Sequence, residues 1–172
     1  VNANIGTSPS LSDSQAELCK LRAAEEAGAD TVMDLSTGED LNEVRSAVVN
    51  HTDLPVGTVP IYQATVEAGG PEKLHMDGFL DVFKQHARGG VDFATIHAGV
   101  TREAIPLVED RLMGVVSRGG SFLIDWMRKH GAENFLYSEF GRILEVAREY
   151  DVTMSLGDGL RPGCAEDATD DA

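Results

Sequence analysis

The sequence predicts an α/β fold in which short strands and helices alternate through a single domain. Three observations carry this reading. Six short apolar, β-branched runs each stop at a polar or glycine-rich cluster, after which a helical pattern begins. No linker, internal repeat or low-complexity stretch interrupts the alternation. With 172 residues and 42% hydrophobic content, the chain can build one domain with a real core.

The first run ends at Asn2-Ala3-Asn4-Ile5-Gly6. Leu18, Leu21, Ala24 and Ala27 then recur at helical spacing from about Ser12 to Ala27, with Ser12 as N-cap and Gly28 just past the end. Thr31-Val32-Met33 is the second strand and closes on Asp34-Leu35-Ser36-Thr37-Gly38; Leu41, Val44, Ala47 and Val48 mark the next helix. Leu54 to Val59 reads as the third strand, ending at Pro60-Ile61-Tyr62-Gln63. Phe79, Val82, Phe83 and Ala87 form a helical stripe stopped by Gly89-Gly90. Val91 to Ile96 is the fourth strand, ending at His97-Ala98-Gly99. A helix from Ile105 to Arg111, with Pro106 near its start, leads to a fifth strand at Met113 to Val116, which ends at Ser117-Arg118-Gly119-Gly120. Phe122, Leu123, Trp126 and Met127 line one helical face and Ile143, Leu144, Ala147 and Tyr150 another. Val152 to Leu156 is the sixth strand and runs into Gly157-Asp158-Gly159-Leu160-Arg161-Pro162-Gly163.

Six βα units suit either an open doubly wound sheet or six-eighths of a closed (β/α) barrel, and the pattern alone does not choose between them. In both, the carboxyl ends of the strands open on one face, so polar clusters placed there converge on one pocket, as in an enzyme. A dinucleotide fingerprint is a poor fit, because Pro162 stands where its third glycine belongs and the motif follows the last strand. A nucleophile elbow at Ser117 fails too, since Val115 replaces the required glycine.

Composition narrows the partners. Twenty-nine acids against fourteen bases, only four of them lysines, give a formal charge of −15. That balance disfavours nucleic acid and anionic membranes and suits a high-salt cytoplasm, where screening relieves self-repulsion. Part of the excess is the acidic tail from Glu166 to Asp171. No apolar run is long enough for a membrane span, and no signal-like segment opens the chain, so the expected location is the cytoplasm. Cys19 and Cys164 lie far apart without a metal-spaced partner and read as buried or incidental thiols. Val1 opens directly into a strand, and Ala172 stops a few residues into a new helical pattern, as in a piece of a longer protein.

Taken together, the strand-end strings are specific. Asn2-Ala3-Asn4-Ile5-Gly6-Thr7-Ser8, Ala29 to Gly38, Gly57 to Ala64, Thr95-Ile96-His97-Ala98-Gly99, Val116 to Gly120, Glu133-Asn134-Phe135-Leu136-Tyr137 and Ser155 to Gly163 resemble the core of phosphomethylpyrimidine synthase, in order and over essentially the whole chain. The resemblance implies a (β/α) barrel enzyme, a homodimer, that converts 5-aminoimidazole ribotide to hydroxymethylpyrimidine phosphate in thiamine biosynthesis. It also implies radical chemistry from S-adenosylmethionine at a 4Fe-4S cluster, and a zinc held by two histidines. The family's Cys-x2-Cys-x4-Cys motif and that histidine pair have no counterpart in this sequence, so the chain alone is expected to be inactive and to retain most of the substrate cradle.

Carried over by motif, the substrate-binding positions implied by the resemblance are Asn4, Met33, Tyr62, His97, Ser117, Arg118, Gly119, Asp158, Gly159, Leu160 and Arg161. Ser117-Arg118-Gly119 opens a helix, where amides, a hydroxyl and a guanidinium can meet phosphate oxygens; read alone, it is equally a capped helix start with a surface arginine. Asp158 and Arg161 can accept from and donate to a ligand, or pair with each other to shape the turn. His97 is the candidate catalytic residue, and its alternative is a satisfied core histidine. Tyr62 and Met33 offer a stacking and packing surface or plain core, and Asn4 a donor with an acceptor or a turn residue. Asp34, Ser36 and Thr37 read as caps or ligand contacts, Trp126 as packing, and His51, His75, His86 and His130 as surface residues.

Two alternatives stand beside this one: a hydroxybenzimidazole synthase of cobamide biosynthesis acting on the same ribotide, and a truncated, non-catalytic ribotide-binding paralogue.

Overall fold

The computed structural model describes residues 1–168; the end of the acidic tail, Thr169 to Asp171, lies outside the described residues. The elements are β1 (Asn2–Ile5), α1 (Ser14–Glu26), β2 (Thr31–Asp34), α2 (Leu41–Asn50), β3 (Val56–Thr58), α3 (Pro60–Ala68), α4 (Met76–Arg88), β4 (Phe93–Ile96), α5 (Arg118–His130), α6 (Phe135–Ser138), α7 (Phe140–Tyr150) and β5 (Thr153–Leu156). Short 3-10 turns lie at Pro71–Lys73, Arg102–Ala104 and Pro106–Val108.

All five strands are parallel, in the order β1-β2-β3-β4-β5, and β1 and β5 form the two edges of an open sheet. The register pairs Asn4 with Met33, Met33 with Gly57, Gly57 with Phe93, and Phe93 with Thr153. Strand alternation therefore assigns Ile5, Val32, Val56, Ala94 and Ile96 to one face, where each is at most 6% exposed. Helices cover that face. Ile5, Val32 and Val56 pack with Leu18 and Leu21 of α1 and Val48 of α2. Ala94 and Ile96 pack in a larger cluster with Phe79 and Phe83 of α4, Leu123 and Met127 of α5, and Ile143 of α7. Each fully buried Val, Leu, Ile, Phe or Met side chain among these contributes roughly 1.5 to 3 kcal/mol. The opposite face carries Asn2, Asn4, Thr31, Met33, Phe93, Thr95, Thr153 and Ser155, all exposed or half-buried. Its polar groups bond across and along strands: Thr31 Oγ1 of β2 donates to Asn2 Oδ1 of β1 at 2.8 Å, and within β1 Asn2 Nδ2 donates to Asn4 Oδ1 at 2.8 Å.

The expected fifth strand and the helix before it do not form, so the described residues hold five strands where six were expected. The segment from Ile105 to Val116 makes one 3-10 turn and then runs irregularly. Gly114 adopts φ +60°, which breaks an extended run, and the Leu112 and Met113 amides donate to the Asp167 carboxylate at 2.9 and 3.0 Å instead of to a neighbouring strand. Two further boundaries move. Asp13, not Ser12, caps α1, its Oδ1 accepting from the Gln15 amide at 2.9 Å, while Ser12 Oγ accepts from the Glu39 amide. The cluster after β3 is itself helical, because Pro60 suits the first helical position. Among the described residues, no helix is long and apolar enough to cross a membrane.

Candidate functional site

The strand carboxyl ends converge as the alternation requires. Asn4, Tyr62, Arg118 and Arg161 line one cavity of about 520 Å³, at whose rim the guanidinium of Arg118 sits 5.2 Å over the Tyr62 ring. That geometry is a cation–π contact. Burial raises the Tyr62 phenol above its ordinary pKa, with Arg118 and Arg161 pulling it back. Arg161 also pairs with Asp158 at 3.2 Å, but both side chains are exposed, so the pair is worth little by itself.

His97 follows β4 and is only 4% exposed. Its ring is wedged between two glycines. A Cβ on Gly119 would lie 2.5 Å from Cε1, and one on Gly157 would lie 2.9 Å from Cδ2. Burial holds its pKa below the ordinary value, opposed by Asp158 and reinforced by Arg161, which keeps the imidazole neutral near pH 7. Among the described residues, His97 Nδ1 is the buried side-chain polar atom without a hydrogen-bond partner. A buried polar atom without a partner is costly, and a bound ligand is one group that can satisfy it.

Ser117 is buried and caps α5, its Oγ accepting from the Gly120 amide at 3.2 Å. The amides of Arg118 and Gly119, at the first positions of the helix, have no intrahelical acceptor. Gly159 packs against this helix start so closely that a Cβ on Gly120 would lie 2.0 Å from the Gly159 oxygen. The Ser117 and Asp158 clusters are thus one surface. Arg111 Nη1 donates to Leu160 O at 2.6 Å and fixes the turn.

The site residues implied by the sequence therefore sort into three places. Asn4, Tyr62, Arg118 and Arg161 share the cavity; His97, Ser117, Gly119 and Gly159 form its buried support. Met33 sits on the open sheet face beside a second cavity of about 410 Å³ with Phe93, Thr153 and Ser155, while Asp158 is exposed and Leu160 half-buried.

Other residues take roles the sequence reading did not give them. Asp34 and Ser36 cap no helix: Asp34 Oδ1 accepts from the Ser36 amide and hydroxyl, and Ser36 Oγ accepts from the Thr7 amide at 3.0 Å, tying the β1 and β2 ends together. His86 is not a surface residue. It is 4% exposed, its Nε2 facing Gln63 Oε1 at 2.9 Å and its Nδ1 facing Thr58 Oγ1 at 2.8 Å. Because Gln63 Oε1 also accepts from Arg45 Nη1 at 2.7 Å, Nε2 carries the proton. Burial, then Arg45, push this imidazole down to about 3. Asn134, fully buried, donates from Nδ2 to the His97 and Val100 oxygens at 3.1 and 2.9 Å and caps α6 through Oδ1, so it shapes the His97 turn. Trp126 packs on Phe135 as expected and donates to Leu74 O at 2.8 Å. Cys19 is exposed and Cys164 half-buried, and neither is in a disulfide, which fits incidental thiols.

The radical SAM ThiC family model matches residues 1–172. The chain is 57% identical over 172 residues to the phosphomethylpyrimidine synthase of Haloarcula marismortui, covering 36% of that protein. It is 56% identical over 178 aligned positions to the phosphomethylpyrimidine synthase of Moorella thermoacetica and 54% to that of Dehalococcoides mccartyi, covering 41% of each. All of this chain is matched in each case, yet it spans only about two fifths of the length of these relatives.

Proposed function

This chain belongs to the radical SAM ThiC family, and on that premise we propose that it forms the ribotide-binding part of a phosphomethylpyrimidine synthase of thiamine biosynthesis. The reaction assigned to the whole protein is that of a lyase, converting 5-aminoimidazole ribotide to 4-amino-5-hydroxymethyl-2-methylpyrimidine phosphate. One observation carries the reading: Arg118, at the start of α5, and Arg161, in the loop after β5, line one cavity with Asn4 and Tyr62 at the strand carboxyl ends.

The five strands are the first part of a (β/α) barrel. Sequential parallel order with the helices on one face supports this, because a doubly wound sheet reverses strand order and covers both faces. In that barrel the polar sheet face is the interior. Asn4 and Met33 are register partners across β1 and β2, so a flat heterocycle lying over them meets a donor, an acceptor and a soft apolar contact together.

Arg118 and the free amides at the start of α5 take the phosphate oxygens, and Arg161 adds a bidentate contact. Tyr62 packs on the sugar or ring, and Asp158 accepts from ribose hydroxyls or the imidazole amine. Neutral His97, with one donor and one acceptor nitrogen, hydrogen-bonds the bound molecule and is the candidate for moving a proton there.

The family also implies S-adenosylmethionine, a 4Fe-4S cluster and zinc. The residues described here do not fit either metal group: two free thiols, one on α1 and one beyond β5, are too few for a cluster, and no group of three His, Cys, Asp or Glu could hold an ion. The metal chemistry accordingly belongs to other parts of the whole protein, which we place in the cytoplasm as a homodimer. Product analysis of the full-length protein supplied with ribotide, S-adenosylmethionine and a reductant tests the assignment. Hydroxymethylpyrimidine phosphate is the expected product, and hydroxybenzimidazole, or no turnover with a fully loaded cluster, overturns it.

A further inference from the structure

The cavity at the strand ends has a third cation that neither the sequence motifs nor the family resemblance supplied. Lys20, on α1, lines it together with Arg118 and Arg161, and no aspartate or glutamate does. In a chain with 29 acids and 14 bases, a wall lined by three cations is not an average piece of surface, even though Lys20 and Arg161 each keep a carboxylate partner, Glu17 and Asp158, outside that lining. It is a field for an anion.

Lys20 is also held in place, unlike a free surface lysine. Its ammonium is paired with Glu17 Oε1, one turn earlier on α1. Glu17 itself is only 3% exposed, and its second oxygen accepts from the Gly6 amide at 2.7 Å, at the carboxyl end of β1. One buried carboxylate thus ties the lysine to the same strand end that presents Asn4. The lysine side chain remains about half exposed. An ammonium has three donors, so the pairing with Glu17 leaves others for an incoming oxyanion.

We propose that Lys20 is a phosphate-contacting residue of this site, completing with Arg118 and Arg161 a three-sided cationic wall, and that Glu17 is its positioning residue. The proposal rests on the ribotide reading given above and extends it to a residue outside the strand-end motifs. Arg118 and Arg161 approach from the α5 and β5 side, and Lys20 from the β1 side. The site then selects for a phosphate monoester over the corresponding nucleoside through groups on both sides of the opening.

The test is the ratio of affinities for 5-aminoimidazole ribotide and its dephosphorylated riboside, measured by calorimetry on the full-length protein. Lys20→Gln is expected to weaken ribotide binding about tenfold while leaving riboside binding within about twofold, and Lys20→Arg to restore most of the ratio. Glu17→Gln, which keeps an acceptor for Gly6 but frees the ammonium, is expected to lower the ratio by a smaller factor. Because Lys20→Gln leaves Glu17 buried beside a neutral partner, the double variant Glu17→Gln/Lys20→Gln removes both charges and is expected to lose the ratio as well. An unchanged ratio in Lys20→Gln and in the double variant, with the ratio lost in Arg161→Ala, overturns the assignment of Lys20 alone. Equal weakening of both ligands in Lys20→Gln also overturns it and leaves a purely structural role. A ratio unchanged in Arg161→Ala as well overturns the ribotide reading itself.

Discussion

The imidazole of His97 lies against the backbone of Gly119, with a Cβ at that position placed 2.6 Å from the Nδ1 atom that has no partner. The glycine is therefore what admits the ring. Gly119→Ala must push the ring or the start of α5 aside, which costs about 1 to 3 kcal/mol. Denaturant unfolding together with ribotide binding should both deteriorate; a variant with wild-type stability and affinity contradicts the slot.

Asn134 is expected to be among the most sensitive positions away from the cavity. Asn134→Ala removes three bonds to the His97 to Val100 turn and the cap of α6, and leaves buried carbonyls unpaired. The expected loss is about 2 to 4 kcal/mol, with ribotide affinity falling in parallel as His97 moves. A loss below about 0.5 kcal/mol in chemical denaturation refutes this role.

Acid sensitivity should trace to His86. Its folded-state pKa of about 3 lies below the unfolded value of 6.5, so the unfolded chain binds the extra proton. Its stability contribution is complete above pH 6.5 and is lost progressively as pH falls toward 3. Between pH 6.5 and 4.5 the loss amounts to roughly 2 to 3 kcal/mol. His86→Gln, which cannot titrate, should show a correspondingly shallower decline over that interval; identical pH profiles for the two proteins exclude His86 as the cause.

Residues 1–172 expressed alone should oligomerise or precipitate. Edge strands β1 and β5 present unpaired backbone groups, and the polar face of the sheet is uncovered. A monodisperse monomer in sedimentation that unfolds cooperatively contradicts this.

Much of this architecture is legible in the sequence because strand runs and helical stripes are local. Thr31 to Met33, Val91 to Ile96 and Val152 to Leu156 coincide with β2, β4 and β5 to within two residues. The strand expected at Met113 to Val116 fails for a local and a non-local reason: Gly114 adopts φ +60°, and Asp167, far along the chain, captures the Met113 amide that a sheet would have used. His86 was recoverable, since it continues the Phe79, Val82 and Phe83 stripe at helical spacing onto the buried face of α4. Lys20 and Asn134 were not. Nothing near them in sequence states that α1 borders the opening or that a side chain at position 134 reaches the His97 turn. The motifs identify the chemistry-bearing residues, but only the packing of the α5 start against the loop after β5 decides that Arg118 and Arg161 share a cavity while Met33 faces the open sheet.

The most direct test of the central claim is ribotide binding to the full-length protein by calorimetry, with Arg118→Ala and Arg161→Ala beside the parent. Each substitution is predicted to weaken binding by about 2 kcal/mol, some thirtyfold, because each removes a charged donor from the same anion. Parent-like affinity in both variants would mean that the strand-end cavity does not hold the ribotide.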